Sequence, residues 1–350
     1  LYRATGEPRY LDAAREAGIR VDLTVGSGWP AGGTHVAADD SLRMLVFAER
    51  AVEGPGKATL DLSTPDKPAF YELAAIVEPV SGPMVRWLPE TARRVAVIAA
   101  RETGGARDDN PLVLTDSVTL DPASVKDLTD AVGADGKLAW DAPAGKWRVI
   151  AFFDMADGEY LSLAAQSDAG FVVDHFDANK VRANLDRLAG TRTGLDPYFG
   201  NVLRALFTDS YEFRTERHFG ADFLAEFRVR RGYDPVPWLP AAVVPGADSS
   251  IFEGAGVRTL SPFSLSDDDA RVAHDYAQTV SDLYIERYQG ATNEWTEARG
   301  MKSRVQPYGM RVDVIRAAGA TGIPETEQLY AGGLEPFLKL VSSSAHLYGR

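Results

Sequence analysis

The run Leu206-Phe207-Thr208-Asp209-Ser210-Tyr211-Glu212 constrains this chain more than any other segment. It is apolar, β-branched at its end, and then abruptly acidic. A parallel strand buried on both faces reads this way along its body. Chemistry collects at the C-terminal tip of such strands in α/β proteins. We therefore read Ala205–Thr208 as a strand that delivers Asp209 and Glu212 to a rim.

The same unit recurs. Candidate strands are Val21–Val25, Phe171–Val173, Ala205–Thr208, Ser303–Gln306 and Thr321–Ile323. Helical patterns lie between them, over Val181–Leu188, Phe223–Arg231, Asp267–Arg299, Val312–Ala318 and Leu334–Leu347. Strand and helix in alternation, with polar residues after each strand, imply a parallel sheet. The expected fold class is α/β, a partial (β/α)8 TIM-type barrel; a complete barrel has eight strands. The chain starts at Leu1 without methionine and stops at Arg350 on a helix-to-strand turn. We read it as an internal fragment, with one barrel strand expected before Leu1 and two after Arg350.

Residues 38–165 have another texture. Short alternating runs (Ala58–Leu62, Ala69–Val77, Val95–Ala100, Val118–Leu120, Leu138–Trp140, Trp147–Phe153) are separated by Gly, Pro and Asp. This predicts an inserted antiparallel β domain, a sandwich, with a hairpin turn at Trp140–Trp147. The expected organisation is 1–37 as the first part of a catalytic barrel, 38–165 as the insert and 166–350 as the remainder of the barrel.

Composition removes several classes. A net charge of −13 speaks against nucleic acid, whose phosphates would go unneutralised. No apolar run approaches the ~20 residues of a membrane span. The absence of cysteine removes disulfides, thiolate nucleophiles and cysteine-bound zinc. The loop Gly26–Gly33 is glycine-rich but has neither the Lys-Ser/Thr of a P-loop nor a dinucleotide spacing, so it is read as a turn presenting Trp29.

The strand tips carry Trp29, Asp174, His175, Asp209, Glu212, Arg304, Gln306, Tyr308, Glu325 and Glu327. Aromatic faces stack on sugars, and planar polar groups take hydroxyls. Paired carboxylates across such a pocket cleave glycosides, one as acid and one as base or nucleophile. Plainer readings stand beside this one. Asp209 suits a helix cap or an arginine partner, Glu212 a solvated loop, and His175 a packed core.

Several blocks resemble the α-L-rhamnosidases of glycoside hydrolase family 106. They are Val21–Pro30 with Gly32-Gly33, Phe207–Glu212, Phe223–Pro240, Arg304–Gly309, Ile323–Glu327 and Ser343–Gly349, in order along nearly the whole chain. The resemblance implies a barrel interrupted by β structure, calcium dependence, and inverting hydrolysis of terminal α-L-rhamnosyl linkages in a rhamnose-containing oligosaccharide or polysaccharide. It also implies an exported protein, periplasmic or extracellular. Glu212 falls at the position of the general acid. The base is Glu325, Glu327 or a residue beyond Arg350. The metal ligands are not assigned, and this fragment by itself is expected to be inactive. The alternatives are a glycosidase of the same architecture acting on another sugar, and a non-catalytic carbohydrate-binding barrel.

Overall fold

The computed structural model describes residues 7–24, 29–69, 71–72, 74–75, 78, 84–107, 116–161, 170–214, 217–243, 261–327 and 330–349. Two compact units share the chain: Leu1–Val36, Leu161–Glu212 and Ser281–Arg350 form one, and Ala37–Tyr160 and Phe213–Val280 form the other.

The strands, in chain order, are β1 (Val21–Thr24), β2 (Gly32–Gly33), β3 (Arg43–Asp61), β4 (Arg93–Ala106), β5 (Ser117–Asp127), β6 (Lys137–Ala156), β7 (Phe171–Val172), β8 (Leu203–Thr208), β9 (His218–Phe219), β10 (Phe263–Ser264), β11 (Lys302–Val305) and β12 (Ile323–Pro324). The helices are α1 (Arg9–Glu16), α2 (Ala178–Ala189), α3 (Phe223–Arg231), α4 (Leu239–Ala242), α5 (Asp269–Leu283), α6 (Gly290–Glu297), α7 (Val314–Gly319) and α8 (Glu335–Tyr348). Local chemistry sets the ends. Asp177 caps α2 by accepting from the N–H groups of Asn179 and Lys180, and Asp313 caps α7 through Arg316 N–H. Gly232 closes α3 in the left-handed region, at φ +81. Between α5 and α6 the helix widens into a π turn, Tyr284–Gln289.

In the first unit β1, β8, β11 and β12 form one parallel sheet, in the same order as in the sequence. Its two faces differ. Ser303 and Val305 pair in register with Leu206 and Thr208 on one face. That face lies under α6, because the Ser303 hydroxyl donates to Asn293. Lys302 and Arg304 pair with Ala205 and Phe207 on the other face, which carries charged groups beside buried Ala205. The fifth strand expected from sequence, Phe171–Val173, does not join this sheet. Its β7 pairs antiparallel with β2, a strand of two glycines that carries no hydrophobic signal. Val25 and the glycines at 26 and 28 lie outside the described residues.

The second unit is built on one six-stranded sheet, order β10-β5-β4-β6-β3-β9, where a sandwich was expected. β3 and β6 pair antiparallel along almost their whole length. One face buries Met44, Val46, Ala48, Val97, Ala99, Val149, Ala151 and Phe153 under Leu62 and Tyr71. The opposite face is equally closed, with Leu45, Ile98, Ile150 and Phe152 fully buried. Segments 213–280 help to cover it: Arg217 Nε donates to the Leu45 carbonyl at 3.0 Å, and Phe263 sets its ring edge-on to Phe47 at 5.3 Å.

Two local readings are corrected. Trp140–Trp147 is not a hairpin turn, because β6 runs through it. Gly145 at φ +116 lies opposite Gly54, so both strands kink together instead of reversing. The described residues of Ala69–Val77 are helical, not extended. Residues 246–266, rich in Gly, Ser and Pro and so expected from sequence to form a long loop, fall mostly outside the described residues.

Candidate active site

The tips of the parallel sheet sort the candidate residues into three groups. The first is an ion-pair ladder across the charged face. Asp22, the one acidic residue of β1, accepts from Arg204 at 2.7 Å and from Arg304 at 2.9 Å. Hydrogen bonding from Arg204, joined by Arg304, holds the Asp22 carboxyl below its ordinary range against the opposing effect of burial. Arg304 also binds Glu325, and Gln306 Nε2 donates to Glu325 Oε1 at 3.1 Å. The Arg304 guanidinium lies over the Phe207 ring, 5.1 Å from its centroid. Arg304, Gln306 and Glu325 thus serve one another, and they tie β1, β8, β11 and the end of β12 together.

The second group is packed inside the unit. Asp174 is buried, accepts from Phe176 N–H at 3.0 Å and faces Lys180 at 3.6 Å, which shapes the entry to α2. His175 is buried against the π turn, stacked 5.9 Å from Tyr284 and tilted 4.3 Å from Tyr288. Its Nδ1 lies 2.6 Å from the Val173 carbonyl, which only accepts, so Nδ1 carries the proton. Burial pulls its pKa down to about 3, opposed by that hydrogen bond. The ring is neutral at ordinary pH. The same environment keeps the hydroxyls of Tyr211 and Tyr284 protonated, with burial the leading cause.

The third group gathers where β8, β11 and β12 end. Asp209 is half-buried and accepts from Ser210 N–H at 2.9 Å. Tyr211 N–H donates to the Tyr308 carbonyl at 2.6 Å, which joins the Glu212 segment to the β11 tip. The Tyr308 side chain is buried, and its hydroxyl is raised by that burial and further by the carboxylates of Glu327 and Asp209. Glu212 is half-buried, and its Oε1 accepts from Ser210 Oγ at 2.8 Å. Outside these groups, Trp29 is half-buried, and its loop is held to the Asp174 segment by Val173 N–H donating to Ala31 O at 3.0 Å.

Residue-level reading overlooked Ser210, Tyr211, Gln289 and Arg204. Asp22 carried a signal, a lone charge in an apolar strand. Gln289 carried none, because the π turn breaks the helical spacing that would have placed it.

A family model described as alpha-L-rhamnosidase, that of glycoside hydrolase family 106, matches residues 104–350. The chain belongs to glycoside hydrolase family 106. No curated protein matches the chain. Among solved structures, a rhamnosidase from Novosphingobium sp. PP1Y is similar, with a TM-score of 0.61 at 18% identity. The match covers 99% of this family 106 chain and 46% of that one, so the chain spans a little under half of that rhamnosidase. At this identity the likeness speaks for the fold. The family match independently covers every strand of the parallel sheet except β1. Among the described residues no helix is long and apolar enough to cross a membrane.

Proposed function

We propose that the protein containing this chain is an inverting α-L-rhamnosidase, an exported enzyme acting on rhamnose-containing oligosaccharide or polysaccharide. We further propose that its first unit is part of a (β/α)8 barrel. Sequential order supports the barrel. Doubly wound sheets reverse their strand order at a switch point, whereas barrels add each strand to the same edge, as β1, β8, β11 and β12 do.

The observation that carries the catalytic reading is the bond from Tyr211 N–H to Tyr308 O at 2.6 Å, which joins the Glu212 segment to the tip of β11, the strand paired with the β12 strand that leads to Glu327. In this reading Glu212 donates its proton to the departing glycosidic oxygen as the bond to the sugar breaks. Glu327 takes a proton from the water that attacks the opposite face. Glu327 is preferred over Glu325 because Arg304 and Gln306 already hold the latter. Inversion requires the two carboxyls roughly 6.5–9.5 Å apart. Trp29 and Asp209, both half-buried, are the groups we assign to the sugar.

Calcium is implied by the family resemblance alone. Among the described residues no group of three or more His, Cys, Asp or Glu is placed to hold a metal ion, and no step is routed through one. Loss of activity on chelation and its return with calcium would assign the requirement.

The test is the intact protein on an aryl α-L-rhamnoside. Glu212→Gln and Glu327→Gln should each lower kcat by about 10²–10⁴-fold, and the first sugar released should be the β anomer. Release of the α anomer, or full activity in Glu212→Gln, would refute the assignment. The 350-residue chain alone should show little turnover, because among the described residues its parallel sheet ends in unpaired edges at β1 and β12. Robust release of rhamnose would overturn that expectation.

A further inference from the structure

Glu212 is a flexible side chain presented from a backbone that is held unusually firmly. Tyr211, its neighbour, is buried and fixed on three sides. Its N–H donates to Tyr308 O at 2.6 Å, its hydroxyl accepts from Gln289 Nε2 at 2.6 Å, and its ring tilts against Tyr284 at 4.5 Å. Gln289 is itself buried and also donates to the Ala317 carbonyl at 3.3 Å. Glu212 N–H donates back to Ser210 O at 3.0 Å. The main chain at 210–212 therefore has little freedom, while a glutamate side chain keeps several rotamers unless a contact selects one. Something must fix the carboxyl itself.

We propose that Ser210 is a positioning residue whose hydroxyl aims the Glu212 carboxyl and selects which of its oxygens carries the proton. Ser210 is 1% exposed, so no bulk water competes for its hydroxyl. Its Oγ donates to Oε1 at 2.8 Å. In a neutral carboxylic acid the carbonyl oxygen accepts and the other oxygen bears hydrogen. A donor fixed on Oε1 therefore keeps the proton on Oε2, turned away from Ser210. The inference rests on Glu212 being the general acid.

General-acid assistance matters most when the departing group is a poor one. That separates aim from mere structure. The experiment measures kcat and KM of the intact protein on aryl α-L-rhamnosides, from dinitrophenyl through nitrophenyl to phenyl. Glu212→Gln, Ser210→Ala and Ser210→Thr are compared, with thermal melts on each. Ser210→Ala should lose about tenfold or more in kcat on the phenyl rhamnoside. On the dinitrophenyl rhamnoside it should approach wild type, with KM little changed. Ser210→Thr, which keeps the hydroxyl, should restore the phenyl rate. If Ser210→Ala does not fold, Ser210→Cys keeps the volume with a weak donor and carries the same comparison. A loss equal on all leaving groups, or none, overturns the proposal. Failure of the underlying reading looks different, because Glu212→Gln itself would then show no dependence on the leaving group.

Discussion

Arg304 and Glu325 are bound to each other. Both face the strand tips and both have the chemistry of a sugar site, yet the guanidinium that would grip a hydroxyl grips a carboxylate two strand positions away, with Asp22 on its other side. Side chains committed in this way hold strands together. The neighbouring Glu327 instead lies in the field of the Tyr308 hydroxyl. Two glutamates separated by one residue, which would share a face of a regular strand, thus have different surroundings just past the end of β12.

That difference predicts a split between stability and rate. Glu325→Gln removes one charge from the ladder and should lower stability by about 1–2 kcal/mol, with less than tenfold change in kcat. Glu327→Gln should leave the melting temperature nearly unchanged and reduce kcat by about 10²-fold or more. Thermal melts and steady-state kinetics on the intact protein check both. The opposite pattern would move the base to Glu325.

His175 predicts a pH dependence of stability. Its folded pKa, about 3, lies below the ordinary value of 6.5, with burial the main cause. The unfolded chain therefore binds a proton that the folded chain refuses. Stability is fully present above pH 6.5 and falls as the pH drops towards 3. The slope from this one group is about 1.4 kcal/mol per pH unit. Carboxylates such as Asp22, whose folded pKa is lowered chiefly by Arg204, also lose their contribution on acidification. The comparison must therefore be between wild type and His175→Gln, by urea unfolding at pH 7, 5.5 and 4.5. The variant should be less stable at pH 7 and show a shallower decline. Parallel declines would mean that His175 is solvated.

Much of this was legible in the sequence. Helix α3 runs over Phe223–Arg231 as its apolar spacing and Gly232 predicted, and β8 ends at Thr208 as the change to acidic residues implied. What could not be read depends on partners distant in sequence. Gly32-Gly33 becomes a strand only because Phe171-Val172 lies against it. The continuity of β6 through Pro143 depends on glycines at 54 and 145 facing each other. Ala69–Val77 alternates too weakly to separate a strand from a helix. At the site, sequence supplied the residue types, but register decided which ones were consumed by each other. Arg304 meets Glu325 because β11 and β12 pair Arg304 with Ile323 and Val305 with Pro324.

In the second unit, Arg43 and Asp154 form an ion pair at 2.6 Å, with side chains 4% and 3% exposed. Arg43 Nη2 also donates to the carbonyls of Asp154 at 3.1 Å and Thr91 at 3.3 Å. Breaking a pair this deep leaves a buried charge uncompensated. Asp154→Ala should cost about 3–5 kcal/mol, whereas the double variant Arg43→Met, Asp154→Leu should cost much less. Equilibrium unfolding of the three proteins tests this. A double variant as unstable as Asp154→Ala would show that the remaining hydrogen bonds, not the charge, carry the effect.

Gly309 offers a test of how far the Glu212 segment tolerates displacement. Its φ is +110, a region that favours glycine, and a Cβ there would stand 2.8 Å from Tyr211 C and 2.9 Å from Tyr211 N. Both are backbone atoms, so neither can swing aside. Gly309→Ala must therefore push the β11 tip and residue 211 apart, straining the bond from Tyr211 N–H to Tyr308 O. Backbone strain of this kind costs on the order of 1–3 kcal/mol, which thermal melts will register. A displacement near 1 Å at the catalytic carboxyl should add about 10²-fold in kcat. The rate loss should thus exceed what partial unfolding explains, and it should persist at temperatures well below the melt, where the variant is fully folded. If kcat at low temperature matches wild type, the 210–212 segment follows the strain without moving Glu212 out of line.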